Sequence, residues 1–93
     1  MYKIEISSAV KKDIKNLPKN IQKKIDDAFA LLSSNPQVGV GLSGEFNDYF
    51  SYHFKVSKVE YRIIYKIYES ELVVLVVLVG TRENIYKQLK RRV

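Results

Sequence analysis

Residues 72–86, LVVLVVLVGTRENIY, decide how the chain is read. Eight apolar residues run unbroken from Leu72 to Val79, then Gly80, Thr81 and Arg82 lead into a short segment ending at Tyr86. A continuous run of leucine and β-branched residues predicts a strand buried on both faces, near the centre of a sheet. Gly80 is expected to turn the chain there. A rigid strand that delivers Arg82 at its end is a common way to hold a functional group still. The same stretch also fits plain core followed by a solvated charge.

Around this stretch lies a chain of 93 residues, the size of one small domain spanning residues 1–93. The apolar share of 46% and aromatic share of 12% are those of a folded chain rather than a disordered one. With no cysteine, neither a disulfide framework nor a thiolate metal site is available. A single histidine argues against a protein-only zinc site, so neither metal nor other cofactor is expected. The N-terminal MYKIEISS lacks the apolar core of a signal peptide, and the longest apolar run, eight residues, falls far short of a bilayer span. A cytoplasmic protein that does not engage a membrane is the expectation.

The net charge of +6 is unevenly spread. Residues 1–49 hold seven lysines against six acids, whereas residues 50–93 hold nine Lys/Arg against four. All four arginines (Arg62, Arg82, Arg91 and Arg92) lie in the second half. Arginine's planar fork suits phosphate, so a polyanion is the natural partner class. Modest positive charge that merely aids solubility is the alternative.

From the N-terminus, Tyr2, Ile4 and Ile6 alternate with Lys3 and Glu5, which predicts a strand. Ser7 or Ser8 can cap the helix that follows. Val10, Ile14 and Leu17 form one stripe of a short amphipathic helix, and Pro18 interrupts it. Ile21, Ile25, Ala28, Phe29 and Leu32 mark a second, longer helix to about Ser33. These helices read as an αα-hairpin laid across one face of a sheet. The six lysines from Lys11 to Lys24 read as its solvated face. Residues 37–48, with three glycines, read as a loop without phosphate-loop spacing.

From residue 49 the chain becomes a meander. Phe50, Tyr52, Phe54 and Val56 alternate with Ser51, His53, Lys55 and Ser57, so His53 and Lys55 share the exposed face. Residues 57–60 form a short connection, residues 61–68 the next strand with Arg62 and Lys66 on one face, and residues 69–71 a second tight turn. Loops this short require antiparallel neighbours. Residues 83–92 can form a basic terminal helix with Ile85 and Leu89 inward. The expected fold is α+β: an N-terminal strand, an αα-hairpin on a small, mainly antiparallel sheet in the order β-α-α-β-β-β, and a short basic C-terminal helix.

His53, Lys55, Arg62, Arg82 and Tyr86 come from two neighbouring strands and the exit of a third. If they converge, they make a cationic patch with one imidazole and one phenol. Cleavage of RNA without metal needs only such parts: a base for the ribose 2′-OH, cations for the phosphoryl oxygens, and an acid for the departing 5′-oxygen. An aromatic ring can hold a splayed base. The bland alternative makes His53 an exposed strand residue and Tyr86 packing for the terminal helix.

Residues 42–92 resemble the RelE/ParE superfamily of bacterial and archaeal toxins, and within it the RelE branch. The resemblance rests on Leu42-Ser43-Gly44, on Tyr61-Arg62-Ile63-Ile64-Tyr65, and on Val79-Gly80-Thr81-Arg82-Glu83 with Tyr86 behind. The element order agrees as well. Arg82 followed by Tyr86 is the discriminating pair, because the gyrase-poisoning ParE branch generally lacks it. The resemblance implies a RelE-like toxin, an mRNA interferase that cleaves mRNA in the ribosomal A site without metal. Its partners would be a cognate antitoxin, the ribosome with its rRNA, and mRNA, with operator DNA bound only through the toxin–antitoxin complex. Lys55 and Arg62 match positions that grip the scissile phosphate, and Arg82 the one that stabilises the transition state or protonates the leaving oxygen. Tyr86 matches the aromatic that stacks on the nucleotide. Lys58, Lys66, Lys87, Lys90 and Arg91 would add RNA contacts. His53 departs from the best-known RelE members, which carry lysine there. Imidazole is the easier base, and cations around it would keep it neutral, so His53 is favoured as base with Lys55 the alternative. The rival readings are a ParE-like toxin that poisons DNA gyrase without nuclease activity, and an inactive relative kept for a DNA-binding repressor complex.

Overall fold

The computed structural model describes residues 1–81, 83 and 85–93. Its elements are β1 (Lys3–Ile6), α1 (Ser8–Lys15), α2 (Lys19–Ser34), β2 (Val40–Gly41), β3 (Phe50–Val56), β4 (Val59–Tyr68), β5 (Val73–Thr81) and α3 (Ile85–Arg92). Single 3-10 turns over Pro36–Val38 and Gly44–Phe46 flank β2. The strands form one sheet in the order β1-β5-β4-β3-β2. Only the β1–β5 pair is parallel, which the long connection between those strands allows.

Local chemistry explains the helix boundaries. The Ser7 hydroxyl accepts the Val10 N–H at 3.2 Å and caps α1. Pro18 cannot continue α1 but serves as the residue before α2. Asn35, immediately before Pro36, ends α2 in a non-helical conformation. The two helices lie on one sheet face and bury Val10, Ile21, Ile25, Ala28 and Leu32 against Tyr61, Ile63, Tyr65, Val74, Val76 and Val79. Each buried Val, Leu or Ile among them contributes roughly 1.5–3 kcal/mol on burial, so this layer dominates stability. Tyr65, fully buried, donates its hydroxyl to the Pro36 carbonyl at 2.6 Å and accepts the Gly39 N–H at 3.1 Å. A Cβ at Gly39 would collide with that hydroxyl, so the close approach needs glycine.

The other face carries a smaller core in which Ile85 and Leu89 of α3 meet Ile64, Leu78 and Phe46. A bulge supports it. Ile64 pairs with Leu78 but Tyr65 with Val76, leaving Val77 as an extra residue in β5. β1 pairs with β5 only as far as Val76, and the edge beyond is taken by side chains. Asp13 Oδ2 accepts the Val79 N–H at 3.1 Å, and Arg92 Nη1 donates to the Val77 carbonyl at 2.8 Å. Asp13 and Arg92 also pair with each other through two bonds, of 2.7 and 3.0 Å.

Several expectations shift. Leu72 is not in the strand: it is half-exposed with φ 53° and ends the turn into β5. Nor does Gly80 turn the chain, since it lies within β5 opposite Arg62. The central strand is β4, with β5 beside it, and β5 is buried on both faces only at Leu78 and Val79, where α3 covers it. The loop at 37–48 contains the two-residue β2, paired with Phe50 and Ser51. Residues 59 and 60 belong to β4 rather than to a loop.

Candidate nucleic-acid site

The β3–β4 hairpin closes through only two residues, Ser57 and Lys58, with φ values of 50° and 70°. Positive φ at both central positions gives the tight turn whose twist matches paired strands. Pairing therefore runs to Val56 and Val59, and register sets what faces what. His53 lies opposite Arg62, and Lys55 opposite Glu60. All four lie on the face away from the α1–α2 hairpin, because Tyr52 and Phe54 alternate with them and pack against the main core.

The result is a two-rung square. Its cations, Lys55 and Arg62, sit on one diagonal, with His53 and Glu60 on the other. Arg62 Nε donates to Glu60 Oε2 at 3.1 Å, with both side chains mostly shielded from water. His53 is pushed below the usual imidazole value, first by partial burial and then by the Arg62 charge, while Glu60 pulls the other way. A neutral, proton-accepting ring follows at neutral pH. Beside the square opens a groove of about 460 Å³ lined by Lys55, Lys58, Val59, Glu60, Thr81 and Glu83.

Other expected site residues are placed differently. Tyr86 projects from α3, stacks on Phe46 at 6.4 Å with a 28° interplanar angle, and keeps about half its surface exposed (48%). Lys58, Lys87, Lys90 and Arg91 are exposed. Lys66 shares the face of Arg62 but is engaged: it bonds Asp48 at 3.0 Å and lies over the rings of Tyr49 and Tyr68. It ties the loop after β2 to the sheet, so an RNA phosphate would have to displace that carboxylate. Arg82 lies outside the described residues. Its chain neighbours Thr81 and Glu83 line the groove.

The sequence reading missed Glu60 and Glu83. Counting Glu60 as part of a loop hid its place opposite Lys55. The alternation from Val59 onward carried the signal. Among the described residues no three His, Asp or Glu side chains converge as a metal site.

Comparison with known proteins agrees with this architecture. A family model, described as ParE-like toxin of type II bacterial toxin-antitoxin system, matches residues 4–90. A chain of the RelBE2 toxin–antitoxin complex of Mycobacterium tuberculosis is 28% identical, covering 87% of this chain and 98% of its own, with a TM-score of 0.77. A chain of the intact Escherichia coli RelBE complex is 18% identical over 89% and 99%, with a TM-score of 0.75. One from the archaeal RelE–RelB complex of Pyrococcus horikoshii is 20% identical over 88% and 96%, with a TM-score of 0.64. The last two share the fold. No curated protein matches the sequence at a significant level.

Proposed function

The chain belongs to the ParE-like toxin family of type II bacterial toxin–antitoxin systems, and from that premise we propose that it is a ribosome-dependent endoribonuclease of the RelE type. The observation that carries the reading is the register placing His53 against Arg62 and beside Lys55 on an open sheet face. In this mechanism His53 takes the proton from a ribose 2′-OH, with Lys55 the alternative base. The freed 2′-oxygen attacks the adjacent phosphorus, and the bond to the 5′-oxygen breaks. A 2′,3′-cyclic phosphate and a 5′-hydroxyl result once an acid supplies the departing oxygen with its proton. Lys55 and Arg62 offset the charge gathering on the phosphoryl oxygens. Arg82, next after Thr81, is assigned to the transition state or leaving oxygen, and the half-open ring of Tyr86 to a splayed base. None of these steps calls on a metal.

Exposed Lys58, Lys87, Lys90 and Arg91 supply further phosphate contacts, so ribosome association should weaken steeply with salt. A cognate antitoxin is the second partner, as RelB is for RelE in the complexes of similar fold.

The test is primer extension on a reporter mRNA in a purified translation system, comparing wild type, His53→Ala and Arg82→Ala. Cuts by wild type alone, with each variant slowed about 10²–10⁴-fold while ribosome binding is kept, are the expected result. The ParE-like name of the family model keeps a second reading in play, in which the chain poisons DNA gyrase without nuclease activity. Growth arrest without mRNA cleavage, together with loss of gyrase supercoiling, would establish that reading instead.

A further inference from the structure

We propose that Glu60 is a positioning residue for this chemistry: it draws the Arg62 fork toward the rung of Lys55 and balances the Arg62 charge beside His53. The proposal rests on the nuclease reading above for its consequence, but on the hairpin geometry for its substance.

Arg62 and Glu60 are two residues apart on β4, on the same face, and belong to successive rungs. The 3.1 Å bond from Nε to Oε2 therefore draws the guanidinium from the rung of His53 toward the rung of Lys55. Glu60 and Lys55 both border the groove, so the fork is drawn toward the groove's edge. Arginine has five N–H donors in a rigid plane. Holding it at Nε fixes the plane while the terminal nitrogens remain the natural pair for phosphate oxygens.

Charge gives the second part. Among the described residues, the groups facing His53 are Lys55 on its own strand and Arg62 and Glu60 on β4, while Val40 and Gly41 of β2 add none. Without Glu60, the Arg62 charge would act on the imidazole without that counterweight and hold its proton affinity down. A base with too little affinity is a poor proton acceptor even when neutral. Glu60 raises that affinity against the Arg62 charge. The carboxylate therefore counters the side effect of the cations that the phosphate requires.

Because His53 is the sole histidine, its ring proton signals report one titration without assignment. The experiment compares wild type, Glu60→Gln and Glu60→Asp by NMR titration, thermal melting and single-turnover mRNA cleavage across pH. Glu60→Gln should move the His53 midpoint to lower pH, leave the melting temperature nearly unchanged, and cut the cleavage rate on the order of 100-fold. Ribosome affinity should hold or tighten, since a negative charge is removed. Glu60→Asp should return the midpoint toward wild type and recover part of the rate. An unmoved midpoint in Glu60→Gln would overturn the proposal, as would a rate loss that merely tracks weaker ribosome binding. If wild type itself cuts no mRNA, the nuclease reading fails, and the midpoint shift alone still decides whether Glu60 governs His53.

Discussion

The two faces of the sheet are built to different standards. Toward α1 and α2, the main cluster buries eleven residues among those described and takes Tyr61, Ile63 and Tyr65 from β4. Toward α3, the corresponding cluster buries five, and His53, Lys55, Glu60 and Arg62 extend past its end. One short helix cannot cover a five-stranded sheet. The uncovered remainder is where cations can reach a ligand while β3 and β4 stay rigid beneath them. The first face carries the fold, and the second leaves room for the proposed site.

That division makes measurable claims. On the open face, His53→Ala should abolish most cleavage with little change in melting temperature. The wild-type rate should stay level at neutral pH and fall on acidification through a midpoint below the ordinary imidazole value, as the base becomes protonated. A large stability loss in His53→Ala would break the comparison. On the covered face, Ile25→Ala should cost about 2–5 kcal/mol, read as a lower urea midpoint at unchanged slope. The clamp spanning the two faces should be intermediate. Asp13→Ala leaves the Val79 N–H and the Arg92 guanidinium short of an acceptor and should cost about 1–3 kcal/mol. At the tight turn, Lys58→Gly should stabilise by roughly 1 kcal/mol, because glycine adopts positive φ without strain. If Lys58→Gly also weakens ribosome binding, Lys58 serves RNA as well as the turn.

The parts legible in sequence are those with a period. Alternation found β1 and β3, the helical stripes found α1 and α2, and Ile85 with Leu89 found α3. Where no period exists, reading residue by residue had less to work with. β2 is two residues long and is defined by its partners Phe50 and Ser51 rather than by its own composition. Leu72 looked like strand because it is apolar, yet the turn needed its backbone, not its side chain. Arg92 looked like one more cation in a basic tail, whereas it is spent on Asp13, 79 positions away. Lys66 likewise carries an ion pair to Asp48 that its place on the strand did not announce. Of the site, His53, Lys55 and Arg62 share the face that alternation assigned them, and Glu60 became visible only with the register.

The clamp on β5 also bears on how the protein folds. Until α3 docks, the Val77 carbonyl at the open edge has no guard. An unguarded edge is a template for another chain. Docking of the helix that carries Arg92 thus also ends the interval in which the chain is prone to pair with its own copies.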